Sequence, residues 1–311
     1  MNFNHQQAQK LSIGMPVFNG ELFIEKAIKS ILAQTFRNFE LIISDNASTD
    51  STKEICEKFV EQDDRIRYFR QETNIGIHKN FSFLLKNAKY EYFAWSAVDD
   101  HLDDDYMEKN IKVLESNKNI ASSVGKIIPY GTESLDINPK LIETTDYPKF
   151  LKNYVKKGRH KKITDAIPVS GSYEQKIRLL LKNTKSLGRF YGVHRTEQLK
   201  QCLIDDTFIN VEVAIFLNLL KFGDFHEESS TNLYEFDEGI STRGIINMAK
   251  YSGHNWFGLL FPFHAYTNWC VQNLGLKNVL KNLDVFLQLN IGGGVALVID
   301  FVMLIKKTFS K

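Results

Sequence analysis

Cysteine is scarce in this chain. Its three copies, Cys56, Cys202 and Cys270, are odd in number and far apart, which excludes both a disulfide framework and a cysteine-rich zinc site. A reducing, cytoplasmic setting is therefore expected. A membrane span is missing too, because the apolar stretches Val295–Ile299 and Phe301–Ile305 are interrupted by Asp300 and fall short of the ~20 residues a crossing helix needs. Residues 1–10 are polar, with no apolar core of an export signal, and read as a disordered lead-in. Charge of one sign is also lacking. A net +2 over 311 residues does not supply the concentrated basic surface of a nucleic-acid binder. Gly292-Gly293-Gly294 has neither a following Lys-Ser/Thr pair nor a preceding strand, which excludes a phosphate loop of that type.

What the chain does contain is a regular alternation. The apolar runs at Leu11–Met15, Phe39–Ser44, Ile66–Phe69 and Tyr90–Trp95 read as strands, and Ala121–Ile128 as a further one. Between them, apolar residues recur at helical spacing: Ile24, Ala27, Ile28 and Ile31; Ile55 and Phe59; Phe81, Leu84 and Leu85; Met107, Ile111 and Leu114. Pro16 to Gly20 reads as a turn, with Asn19 placed to cap the first helix; Ser51 and Glu54 suit a capping box for the second. Such alternation predicts an α/β fold, a mixed and mostly parallel sheet with helices on both faces.

Periodicity fades between about 131 and 171, where an insertion is expected, and the stretch from Lys149 to Lys162 carries only basic charges. It returns at Tyr173–Leu181, at the strand-like Phe190–Val193, and in a helix containing Val213, Phe216, Leu217 and Leu220. After Gly244 the chain turns helical and aromatic, with Trp256, Phe257, Phe261, Phe263, Tyr266 and Trp269 close together. That density suits a subdomain packed on the sheet or an anchor at lipid headgroups. The expected organisation is thus one α/β half over 11–130, a second half over 131–244 that contains the insertion, and a helical region over 245–311.

Acids at strand ends carry the chemistry. Asp99-Asp100 follows the run Tyr90–Trp95, and Asp45 follows Phe39–Ser44. In open α/β sheets ligands bind beyond the carboxyl ends of strands, so both acids point to one crevice. Two unit charges about 4 Å apart repel by roughly 4 kcal/mol at an effective dielectric of about 20, which a divalent cation would offset.

Five segments, in order, resemble the family 2 glycosyltransferases: Met15-Pro16-Val17-Phe18-Asn19-Gly20, Ser30–Phe36, Ser44–Asp50, Asn74-Ile75-Gly76 and Trp95–Asp100. The resemblance implies a GT-A fold, Rossmann-like with a helical C-terminal region, with a nucleotide-sugar-binding half over 11–130 and an acceptor-side, catalytic half over 131–244, and inverting transfer from a nucleotide-diphosphate sugar. It further implies that Pro16, Val17, Phe18, Asn19, Asp45, Asn74, Gly76 and Asp99 line the donor site, with Phe18 against the base. Asp100, together with Asp99, would hold Mg²⁺ or Mn²⁺. Glu212 aligns with the family's general base, with Asp205 and Asp206 as nearby alternatives, and Arg243 is the candidate for the diphosphate. His78, Lys79 and Asn80 lie beside the fourth of these motifs, and His101 beside the acidic pair.

The acceptor implied is a glycan or a lipid-linked sugar of bacterial surface polysaccharide assembly, met at the inner face of the cell membrane. The donor's base and sugar and the oligomeric state are left open. A catalytically inactive nucleotide-sugar binder of the same fold is the alternative from another class. A nucleotidyltransferase is a weaker one, since Pro16 to Gly20 carries no Lys or Arg.

Overall fold

The computed structural model describes residues 9–131, 167–182, 187–236 and 261–309. Among them, eight strands form one sheet in the order β3-β2-β1-β4-β7-β6-β8-β5. The strands are β1 (Leu11–Val17), β2 (Phe39–Asp45), β3 (Ile66–Arg70), β4 (Tyr92–Trp95), β5 (His101–Leu102), β6 (Ile120–Tyr130), β7 (Val193–Arg195) and β8 (Asp224–Phe236). Pairing is parallel from β3 through β4 and between β6 and β8, and antiparallel at β4–β7, β7–β6 and β8–β5. This is the mixed, mostly parallel sheet expected.

The central strands form where the sequence is apolar without interruption. All seven residues of β2 are buried, as are six of the seven in β1, because a strand in the middle of a parallel sheet is covered on both faces. Helices α1 (Ile24–Ala33), α2 (Thr52–Val60) and α4 (Tyr106–Ser116) cover one face. On the other face pack α3 (Ile77–Lys86), α5 (Tyr173–Lys182), α6 (Thr196–Lys200) and α7 (Val211–Leu219). They enclose an aromatic centre in which Trp95 stacks on Phe190 at 4.1 Å, with Phe93 edge-on to Trp95. Close approach fixes Gly14 in β1, since a Cβ there would lie 2.8 Å from the Phe93 ring and 2.9 Å from Leu84 Cβ.

Helices α8 (His264–Leu274), α9 (Leu276–Lys281) and α10 (Leu283–Phe309) follow. Tyr266, Trp269, Cys270 and Phe286 are buried in the same cluster as Trp95 and Phe216, so these C-terminal aromatics complete the core. Trp256 and Phe257 lie outside the described residues, as do most of the insertion and the basic stretch. Among the described residues no helix is long and apolar enough to cross a membrane.

Several local expectations are corrected. Pro16 and Val17 belong to β1 and not to the turn, because both pair with β2. Asn19 does not cap α1, which opens four residues later behind Phe23; its side chain instead accepts the Thr49 N–H at 2.8 Å. Ser51 makes no capping bond either, and Asp50 takes the Thr52 N–H at 3.1 Å. β4 stops at Trp95, which places Asp99 and Asp100 in the connection to β5. Most of the strand-like segment before Gly192 is a short 3₁₀ turn, Leu187–Tyr191, with β7 beginning at Val193.

Candidate functional site

Three loops meet beyond the carboxyl ends of β1, β2 and β3, and hydrogen bonds tie them together. Asn19 N–H donates to Ser48 Oγ (2.8 Å), Gly20 N–H to Thr52 Oγ1 (2.9 Å) and Glu21 N–H to Asp50 Oδ2 (3.0 Å). Asn46 Nδ2 donates to Asn74 Oδ1 (3.0 Å), and Asn46 Oδ1 accepts the Ile75 N–H (2.8 Å). Asn74 Oδ1 also accepts the Gly76 N–H at 2.9 Å, and Gly76, with φ 85, is the left-handed hinge on which α3 opens. Asn19 and Ala47 share that left-handed conformation. The backbone thus turns away sharply at each strand end and leaves a crevice.

Phe18 stands at its edge with 47% of its surface exposed, a large ring without a core to fill. Asp45, by contrast, is wholly buried. Its Oδ1 accepts the Ser48 N–H at 2.8 Å, and its Oδ2 accepts the Tyr68 hydroxyl at 2.7 Å and Arg70 Nη1 at 3.1 Å. Arg70 also donates to the Ser48 carbonyl at 2.9 Å. Asp45 therefore organises the loop, and Arg70 is the half-exposed group presented at its rim. Sequence reasoning passed over Arg70, although its position at the end of β3 was a signal.

Asp99 and Asp100 are half-buried in the β4–β5 connection. The Tyr130 hydroxyl donates to the Asp99 carbonyl, and Asp100 Oδ1 accepts the Phe236 N–H at 2.9 Å. Burial pushes both carboxyls above the ordinary range, and Asp99's charge lifts Asp100 well above it. The acids that follow serve the fold: Asp103 holds Asn232 at 2.8 Å and 2.6 Å, and Asp105 holds Thr231 at 2.7 Å. His101 is a strand residue of β5 and stacks on its cross-strand partner Tyr234 of β8 at 4.4 Å. Among the described residues no group of three or more His, Cys, Asp or Glu side chains is arranged for a metal. The pair nevertheless fits a hard divalent cation that completes its shell with phosphate oxygens and water, since such ions need only one or two carboxylates.

Glu212 lies in the first turn of α7. That helix is apolar all round and buried except at Glu212 and Asn218, so the core fixes the axis and the carboxylate emerges at its N-terminus. It follows Asn210, a left-handed residue at φ 70. Asp205 and Asp206 are on the surface, and Asp205 pairs with Lys86 at 3.3 Å. A half-buried tyrosine joins the acids. Burial pushes the Tyr191 hydroxyl well above its ordinary pKa, and the charges of Asp100, Asp99, Glu235 and Glu212 push it further. The charges of Glu212 and of the Asp99-Asp100 pair are thus felt at one hydroxyl, although over a hundred residues separate them in the chain. Arg243 lies outside the described residues.

Residues 12–177, more than half of the chain, match the profile described as glycosyl transferase family 2. The chain belongs to this family. Among curated family relatives, the glycosyltransferase GlyA of Streptococcus pneumoniae is 35% identical over 113 residues, covering 36% of this chain and 16% of that protein. The GalNAc(5)-diNAcBac-PP-undecaprenol beta-1,3-glucosyltransferase of Campylobacter jejuni is 27% identical over 228 residues, 72% of this chain and 64% of that one. The chain thus spans less than two thirds of these relatives. Among solved structures, S. aureus TarS 1-349 in complex with UDP-GlcNAc aligns with a TM-score of 0.53 at 18% identity, covering 78% of this chain and 64% of that one. The mannosyltransferase PcManGT from Pyrobaculum calidifontis, in complex with GDP-Man and Mn2+, aligns at 0.55 with 12% identity, covering 98% and 77%. These likenesses establish the family 2 fold, the GT-A type expected.

Proposed function

We propose that this chain transfers a sugar, with inversion, from a nucleotide-diphosphate donor to a hydroxyl of a glycan or lipid-linked acceptor in surface polysaccharide assembly. The observation that carries the reading is that Glu212, through His78 at 3.4 Å, stands next to the Asn74-Ile75-Gly76 loop at the carboxyl ends of the strands, with its charge and those of Asp99 and Asp100 felt at the same Tyr191 hydroxyl. The donor lies in the crevice between the loops at Pro16–Gly20, Asp45–Asp50 and Asn74–Gly76, with its base against the Phe18 ring. Asp99 and Asp100 would hold Mg²⁺ or Mn²⁺, and such an ion would supply charge neutralisation for the departing diphosphate. Glu212 takes the proton of the acceptor hydroxyl as that oxygen attacks the anomeric carbon from the face opposite the diphosphate. A positioned base of this kind contributes about 10²–10⁴-fold.

Support for the donor class comes from structural neighbours that hold UDP-GlcNAc or GDP-Man, the latter with Mn2+. For the acceptor it comes from a relative named for PP-undecaprenol. A peripheral place on the membrane is supported by an exposed apolar stripe: Leu276 and Leu280 on α9, then Leu283, Leu287, Ile291, Val295 and Val298 on α10, each 45–65% exposed. Lys277 stands exposed on α9. An apolar helix face with basic neighbours suits an anionic lipid surface.

The test is a thermal-shift and nucleotide-release panel of UDP-, GDP- and dTDP-sugars with and without Mn²⁺. A stabilising donor at ~100 times its dissociation constant adds about 2.7 kcal/mol. Metal-dependent stabilisation with release of one nucleotide is expected. No stabilisation and no release across the panel would refute the reading.

A further inference from the structure

Two helix starts face each other across the site. One is α3, opening at Gly76, and the other is α7, opening at Asn210. His78 in the first turn of α3 places its Nδ1 3.4 Å from Oε1 of Glu212. Both side chains are partly open to the crevice, at 18% and 31% exposure. Neither is held on a loose element. Two residues after His78, Asn80 is locked to β2, accepting from Ser44 Oγ at 2.6 Å and donating to the Ser44 carbonyl at 2.9 Å. The apolar faces of α7 are sunk in the core.

We propose that His78 is a positioning residue for Glu212, an inference that rests on Glu212 being the general base. A glutamate at the start of a helix has three side-chain torsions to fix before one of its oxygens meets a substrate hydroxyl. The 3.4 Å separation is an ion-pair distance, and closing it by a few tenths of an ångström lets the imidazole donate Nδ1–H to Oε1, which orients the carboxylate and leaves Oε2 to accept the acceptor's proton. His78 touches neither reacting atom. Its contribution passes through Glu212 and joins the donor-side half of the chain to the acceptor-side half.

The experiment measures kcat and donor KM by nucleotide release from UDP-glucose, UDP-GlcNAc, GDP-mannose and dTDP-rhamnose, using the full chain. His78→Ala is expected to lower kcat by about 10–100-fold, the scale of a misplaced catalytic group, with donor KM within about twofold. His78→Asn, whose amide can donate from nearly the same place, restores most of it. In a Glu212→Gln background, His78→Ala adds no more than about a twofold loss, because the two act as a unit. Melting curves of both single variants check folding. Unchanged kcat in His78→Ala, a change in KM alone, or a full second loss in the Glu212→Gln background overturns the pairing. Wild-type turnover of Glu212→Gln overturns the base assignment itself, which separates the two failures.

Discussion

Asp45→Asn separates a residue that builds the donor loop from one that touches the donor. The carboxylate is inaccessible to solvent and has three donors around it: the Ser48 amide at 2.8 Å, the Tyr68 hydroxyl at 2.7 Å and Arg70 at 3.1 Å. Asparagine has the same shape but only one oxygen. If that oxygen keeps Tyr68 and Arg70, its amide group faces the Ser48 N–H, and two donors confront each other in a buried place. The cost is one charge-assisted hydrogen bond, about 1.5–3 kcal/mol, plus one unsatisfied buried donor, about 1–3 kcal/mol, or roughly 2.5–6 kcal/mol together. At about 2–3 °C per kcal/mol for a domain of this size, the melting temperature should fall by roughly 5–18 °C. Differential scanning calorimetry measures the fall, and isothermal titration with UDP and GDP measures affinity on the same samples. A variant that melts within about 2 °C of wild type yet loses nucleotide binding would refute this account and make Asp45 a direct nucleotide contact.

Further outcomes follow from the acidic pair and the apolar stripe. Asp99 and Asp100 have raised pKa values, so between the unfolded value near ~4 and the folded values the folded chain holds protons the unfolded chain has released. Their stabilisation is complete below that window and lost as pH rises through it; hence Asp100→Asn should melt higher than wild type at neutral pH without metal, and Mn²⁺ should stabilise only the wild type. Equal Mn²⁺ shifts in both, by scanning fluorimetry, would remove Asp100 from the metal site. Leu280→Asp with Leu287→Asp removes two half-exposed leucines, 57% and 52%, from the stripe. Half of a full leucine burial is about 0.8–1.5 kcal/mol each, so affinity for phosphatidylglycerol vesicles should fall at least ~10-fold. Unchanged co-sedimentation would contradict a lipid-facing role. Gly14→Ala should destabilise by about 1–3 kcal/mol in urea denaturation, since Phe93 and Leu84 leave no room for a methyl.

Much of this architecture is legible in the sequence because its strongest signals are also its physical causes. β1 and β2 are continuous apolar runs that can satisfy their backbone only inside a covered sheet, and α1 to α4 show their core faces at helical spacing. Caps were misread because competing partners are local: Asp50 outbids Ser51 for the Thr52 N–H, and Asn19 reaches across to the neighbouring loop. β8 left little trace. Its middle, His226–Ser230, is polar and partly exposed, yet the strand is held to β6 on both sides of an irregularity after Glu228 by backbone pairing that does not depend on side-chain pattern. In the site, the acids were legible as residue types at strand ends. Their partners were not: Tyr191, His78 and Arg70 matter through contacts between elements far apart in the chain, and periodicity does not report those.

The most direct test compares Glu212→Gln with wild type for two quantities on one preparation, nucleotide-sugar affinity by calorimetry and single-turnover sugar transfer. The substitution keeps the size of the side chain and removes its basicity. The account predicts donor affinity within about twofold of wild type and transfer slowed by about 10²–10⁴-fold. Transfer at the wild-type rate, with binding intact, would contradict it.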